Sequence, residues 1–151
     1  MKLVPIWLLI TICLASCSVS IDGDQANLAG ASAAEVNAKS DVLKVPATVA
    51  KADYFQKAWL DTHEYLHFVA PRVVADEFAR GILGFVPVAS EGAEIIYSDP
   101  DSRRDLGLDW WPKGPVPGAR FGKDYKPAKG SGEVLILDRP GYSEVWAFYG
   151  S

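Results

Sequence analysis

The sequence predicts an α+β fold: two N-terminal helices followed by a small antiparallel sheet with a long aromatic and basic loop. Three observations lead there. Apolar residues recur at helical spacing between Ala50 and Val69, the period changes after Gly84, and two apolar runs near the end of the chain flank Pro140 and Gly141.

The first helix is expected over 50–69, where Phe55, Trp59, Thr62, Leu66 and Val69 follow the i, i+4, i+7, i+11, i+14 spacing of one helical face. Pro71 stops or restarts it, because proline gives no amide to the preceding turn and disfavours the helical basin for Ala70. A second helix should follow at once. Val74, Phe78 and Ile82 recur every four residues, and Gly81 and Gly84 offer places to end. Phe85 to Val88 is short, apolar and proline-broken, so it reads as a loop or an edge strand. Ala93 to Ser98 reads as a strand closed off by Asp99, Pro100 and Asp101. The strongest sheet signal is the pair of runs Glu133 to Asp138 and Glu144 to Tyr149, which should pair antiparallel. Two-residue hairpins prefer the primed turns, whereas Pro140 and Gly141 suit a type II turn, so a longer connection is expected between them. Both faces of these strands are apolar. The helices can cover one face, and the segment Leu106 to Lys129 can cover the other or a sheet edge.

From Ser18 to Thr48 the chain is rich in Ala, Ser, Asp and Asn, has no aromatic residue and shows no sustained apolar period. It reads as a tether. One small domain over 49–151 is therefore expected, with an apolar fraction of 49% sufficient for a modest core. The formal charge of -4 gives no broad basic surface of the kind that nucleic-acid binding needs. Charge is nonetheless uneven. Ile21 to Asp101 holds 13 acidic and 6 basic residues, and Ser102 to Lys129 holds 7 basic and 3 acidic, so attraction between the two halves is expected.

At the N-terminus a charged Lys2, an apolar run from Leu3 to Leu14, and the small Ala15 and Ser16 precede Cys17. The run is too short to span a bilayer, which needs about 20 apolar residues. These first 18 residues resemble the lipobox signal of bacterial lipoproteins. The resemblance implies cleavage after residue 16, a diacylglyceryl thioether on Cys17, acylation of the new amino terminus, and a lipidated tether over 17–48. It places the protein at the bacterial cell envelope. Ser18 after the cysteine implies sorting to the outer membrane under the rule of enteric bacteria. With Cys13 lost in the signal and Cys17 consumed by lipid, no disulfide or thiolate metal site would remain.

One stretch matches a catalytic pattern. His63, Glu64 and His67 fit H-E-x-x-H, and on a helix the i, i+4 spacing would put both imidazoles on one side. In the zinc peptidases that this motif resembles, the two histidines hold the metal and the glutamate activates a bound water. The chain has no other histidine, so a third ligand would have to be a carboxylate such as Glu77, Glu91 or Glu94. The evenly spaced Asp99, Asp101, Asp105 and Asp109 suggest calcium, but Arg104 stands where an EF-hand loop needs glycine.

The other candidate is the segment Leu106 to Lys129. It combines Trp110, Trp111, Phe121 and Tyr125 with Lys113, Arg120, Lys123, Lys126 and Lys129, in a loop too long for a simple connection. Aromatic faces beside cations suit a glycan, an anionic lipid headgroup or a protein partner. The same tryptophans also serve as anchors pinning the loop to the sheet, with at least one of Trp110 and Trp111 expected to be buried. The sequence is read as a lipid-anchored, non-enzymatic binding or scaffolding module with no cofactor. Trp110, Trp111, Arg120 and Tyr125 form its candidate binding loop. A zinc hydrolase with His63 and His67 as ligands and Glu64 as general base is the alternative.

Overall fold

The described residues form a seven-stranded antiparallel sheet with two helices, not the two N-terminal helices followed by a small sheet that the sequence predicts. The computed structural model describes residues 25–58, 61–90, 107–126 and 130–151. In chain order the elements are β1 (Gln25–Ala31), α1 (Ala33–Lys39), β2 (Ala52–Ala58), β3 (Thr62–Ala70), α2 (Arg72–Leu83), β4 (Val88–Ala89), β5 (Arg120–Lys126), β6 (Gly130–Arg139) and β7 (Tyr142–Gly150). Across the sheet the order is β1-β2-β3-β7-β6-β5-β4. Two meanders therefore meet at the centre, where β7 pairs with both β3 and β6. Between the meanders, α2 carries the chain from β3 to the opposite edge and packs over β5, β6 and β7.

The helix expected over 50–69 is the hairpin of β2 and β3, paired from Ala52↔Phe68 to Ala58↔Thr62. Phe55, Leu66 and Val69 fit a helical stripe, but Leu66 and Val69, three apart, fall on opposite faces of a strand, and the buried residues of β3 follow two-residue alternation instead. Glu64, Leu66, Phe68 and Ala70 are buried in turn along β3, and the aromatic and β-branched residues Tyr54, Phe55, Thr62, Tyr65 and Val69 favour a pleated surface. Cross-strand contact decides between the two periods. Tyr65 packs edge-on to Phe148 with ring centroids 5.1 Å apart and lies 5.9 Å from Phe55, contacts that only the sheet supplies.

The segment expected as a tether carries β1 and α1. β1 pairs with β2 from Gln25↔Lys57 to Ala31↔Ala52, and its Ala26, Leu28 and Ala31 lean on the core. Small residues hide a strand from a search for apolar periods. α1 begins with a capping box: the Ser32 hydroxyl accepts from the Glu35 amide while the Glu35 carboxylate accepts from the Ser32 amide. Val36, Leu43, Val45 and Val49 are buried behind it.

α2 lies where its four-residue repeat predicts, between Pro71 at the N-cap and Gly84, whose φ of 83° ends the helix in the left-handed region. The strands expected near the end of the chain pair as β6 and β7. Their connection is shorter than expected: Arg139 pairs with Tyr142 across two residues, with Gly141 at φ 87° as a type II turn requires of its third residue. The expected edge strand near Val88 is β4, two residues long. The strand expected over 93–98 lies outside the described residues.

Each face of the sheet buries its own core. On one, Tyr54, Leu66, Phe68, Val134, Ile136 and Val145 meet Val36 of α1 and Ala75, Phe78, Ala79 and Leu83 of α2. On the other, Phe55, Tyr65, Leu135, Leu137, Trp146 and Phe148 are covered by Leu108, Trp111 and Ala119 from the loop ahead of β5.

Candidate functional site

Alternation along β3 separates the three residues of the H-E-x-x-H match. Glu64 points to the helix-covered face, and His63 and His67 point to the other. Four residues of strand hold the two histidines about 13 Å apart. Two zinc ligands, each about 2.1 Å from the metal, must lie within about 4 Å of one another. The shared side that a helix would give them is missing because the segment is not a helix. Among the described residues no three His, Cys, Asp or Glu side chains gather to hold a metal. Glu77 lies on α2, while Glu91, Glu94, Asp99, Asp101, Arg104 and Asp105 lie outside the described residues.

Glu64 is 0% exposed and accepts from four donors. Ser40 Oγ donates to Oε2 at 2.7 Å, and the amides of Asp41, Val42 and Leu43 donate at 2.7, 3.1 and 2.9 Å. The carboxylate thus closes the turn after α1 and ties it to β3. Burial, and next the charge of Glu64, push the nearby Tyr54 phenol well above its ordinary pKa. His63 sits one pair from the end of the sheet, opposite Gly150 and 5.7 Å from the Phe148 ring. Burial lowers its pKa; Asp61 works against that shift and Lys57 adds to it.

His67 is placed differently. Register puts Asp53, His67 and Trp146 side by side on three neighbouring strands, all on the loop-covered face. His67 Nδ1 lies 3.0 Å from Asp53 Oδ2, and the Gly30 amide donates to Asp53 Oδ1 at 2.8 Å. The imidazole stacks on Trp146 at 5.2 Å and on Trp110 at 6.1 Å, with interplanar angles of 23° and 18°. Trp146 Nε1 donates to the Trp110 carbonyl at 2.9 Å and so fixes the loop over the strand. Next along, Trp111 is 7% exposed and meets Tyr65 edge-on at 5.1 Å, where burial pushes the phenol up to about 12. The side chains of His67 and Asp53 keep 19% and 24% of their surface in contact with solvent. A carboxylate and an imidazole therefore stand at the rim of an aromatic floor. With Nδ1 protonated toward Asp53, His67 presents Nε2 as an acceptor; when the ring is charged, both nitrogens donate. Among the described residues, Asp53 is its hydrogen-bond partner.

The expected binding loop is split. Trp110 and Trp111 join this floor, but Arg120 is turned to the helix-covered face and is 8% exposed. Its guanidinium donates through Nε and Nη2 to Asp138 at 2.9 and 3.0 Å, and Nη1 makes an ion-pair contact with Asp76 at 2.8 Å. Burial alone would pull the Arg120 pKa down, but Asp138 and Asp76 outweigh it and raise it. Burial likewise works to raise Asp138, yet Arg120 and the Ser143 hydroxyl, 2.7 Å away, hold it below the ordinary carboxylate range. Lys123 is paired at 2.6 Å with the buried Glu133. Lys113 is exposed, and Tyr125 and Lys126 have their backbone in β5. The side chains of Tyr125 and Lys126, with Cys17, Leu106 and Lys129, lie outside the described residues.

Asp53 and Trp146 escape sequence reasoning. An aspartate between Ala52 and Tyr54, at the apolar end of β2, is the one signal for the first. Nothing short of the register reveals the second. Comparison with protein-family models, with curated proteins and with solved structures finds no match for the chain.

Proposed function

We propose that the protein is a lipid-anchored binding module of the bacterial envelope, held to the outer membrane by an acylated Cys17, which recognises a glycan through Trp110, His67 and Asp53. The observation that carries the reading is the row Asp53, His67, Trp146 with Trp110 stacked on the imidazole. An indole face suits the C–H face of a sugar ring, and a carboxylate beside an imidazole supplies an acceptor and a donor for its hydroxyls. A glycan is favoured over an anionic lipid headgroup because Arg120 and Lys123, two of the cations that would attract phosphate, are committed to Asp138, Asp76 and Glu133. A net charge of -4 argues in the same direction and against nucleic acid.

The test is titration calorimetry of the protein with solubilised cell-wall glycan fragments, in parallel with the Trp110→Ala variant. Saturable binding by the parent and its loss in the variant are expected. Equal behaviour of the two proteins would remove Trp110 from the site, and no heat with any fragment would end the glycan reading. The anchor is tested separately. Cys17→Ala should give an unprocessed or soluble product, and mature-sized Cys17→Ala protein retained at the membrane would refute lipidation.

A further inference from the structure

We infer that one end of the sheet, formed by Gln25, Lys57, His63 and Gly150, faces the phospholipid surface, and that the Trp110 site stands clear of it, about midway along the sheet. The inference rests on the lipid anchor at Cys17. The registers Gln25↔Lys57, Lys57↔His63, His63↔Gly150 and Ser131↔Gly150 collect the start of β1 and the neighbouring strand ends into one edge row. Arg139 and Tyr142 lie in the opposite row, eight residues along β6 from Ser131, about 27 Å away at the rise of an antiparallel strand.

Because β1 begins at Gln25, only residues 18–24 separate the sheet from Cys17. Eight peptide intervals reach about 27 Å when fully drawn out. Turning the domain over would require that whole length taut, with the Pro140–Gly141 turn pressed into the headgroups. Fixing a chain in its single most extended form is entropically unfavourable. The upright orientation leaves slack. It sets His67, four residues along β3 from His63, about 13 Å farther from the bilayer than the edge row.

Single cysteines at two exposed positions test this. Cys13 leaves with the signal and the Cys17 sulfur is acylated, so Lys57→Cys and Arg139→Cys each offer one thiol in the mature chain. Each full-length lipoprotein, labelled with a fluorescent donor, is incorporated into phosphatidylethanolamine/phosphatidylglycerol vesicles carrying a headgroup acceptor. Donor emission should fall more at position 57 than at 139, and a long Gly/Ser insertion after Ser18 should shrink the difference. Equal loss at the two positions, or greater loss at 139, in protein whose mass shows the acyl chains would overturn the orientation while leaving the anchor intact. Protein lacking the acyl mass and staying off the vesicles would overturn both.

Discussion

On the helix-covered face, Glu64 is sealed from water, Arg120 is nearly so, and the strong partners of both are built into the chain. On the loop-covered face, Asp53 and His67 are half-buried, joined to each other, and open along one side. A buried charge whose partners are all supplied from within leaves nothing to offer a ligand, and it makes the fold depend on it. A partly exposed pair holds its shape on the aromatic floor and keeps hydrogen-bonding capacity for something outside. The contrast separates the structural polar groups of this molecule from the candidate functional ones, although one residue of each kind, Glu64 and His67, belongs to the same five-residue sequence match.

The comparison breaks most readily at Glu64. Glu64→Ala leaves three amides and the Ser40 hydroxyl without their acceptor, and a loss on the order of 3 to 5 kcal/mol is expected in urea unfolding. Parent-like stability would show that the turn after α1 finds water instead. Trp111→Ala should cost about 3 kcal/mol, since it opens a cavity over Tyr65 on the other face. An unchanged melting temperature would mean that the loop is held without it.

Acid sharpens the contrast. Asp138 has a lowered pKa in the folded state, so the unfolded chain binds the proton more readily, and stability present above about pH 3.9 is lost as pH falls through the folded value. His63 also has a lowered folded pKa, so its contribution fades as pH falls below about 6.5. Asp138→Asn should flatten the acid limb of stability against pH, and His63→Gln should flatten the shallower slope near neutrality. The smallest change is expected at the candidate site. Breaking the partly exposed pair with His67→Ala should cost under about 1 kcal/mol, and a loss as large as that of Glu64→Ala would make His67 another structural group.

What the sequence revealed depends on how local each feature is. The Val74, Phe78, Ile82 repeat and the flanking prolines and glycines define α2 within its own residues, and the runs on either side of Pro140 define the central hairpin. Segment 50–69 reads two ways because Phe55, Leu66 and Val69 keep helical spacing while Glu64, Leu66, Phe68 and Ala70 keep strand alternation, and only partners far along the chain choose between them. β1 escaped because Ala26, Leu28 and Ala31 contribute backbone pairing more than side-chain burial. At the site, His67 stood out through a motif whose geometry β3 dissolves. Its real neighbours, Asp53 and Trp146, are 14 and 79 residues away along the chain, a proximity that only strand register creates.

The placement of β7 bears on when the molecule can fold. It is the last strand in chain order and the one that joins the two meanders, pairing His63 with Gly150 and Val134 with Ala147. Without it β3 and β6 each lose a neighbour, and the sheet falls into two halves. Contacts as far apart in sequence as His63 and Gly150 form late and slowly, because loop closure must come before any pairing can compensate it. A chain of this topology cannot complete its central pairing until its last strand is delivered.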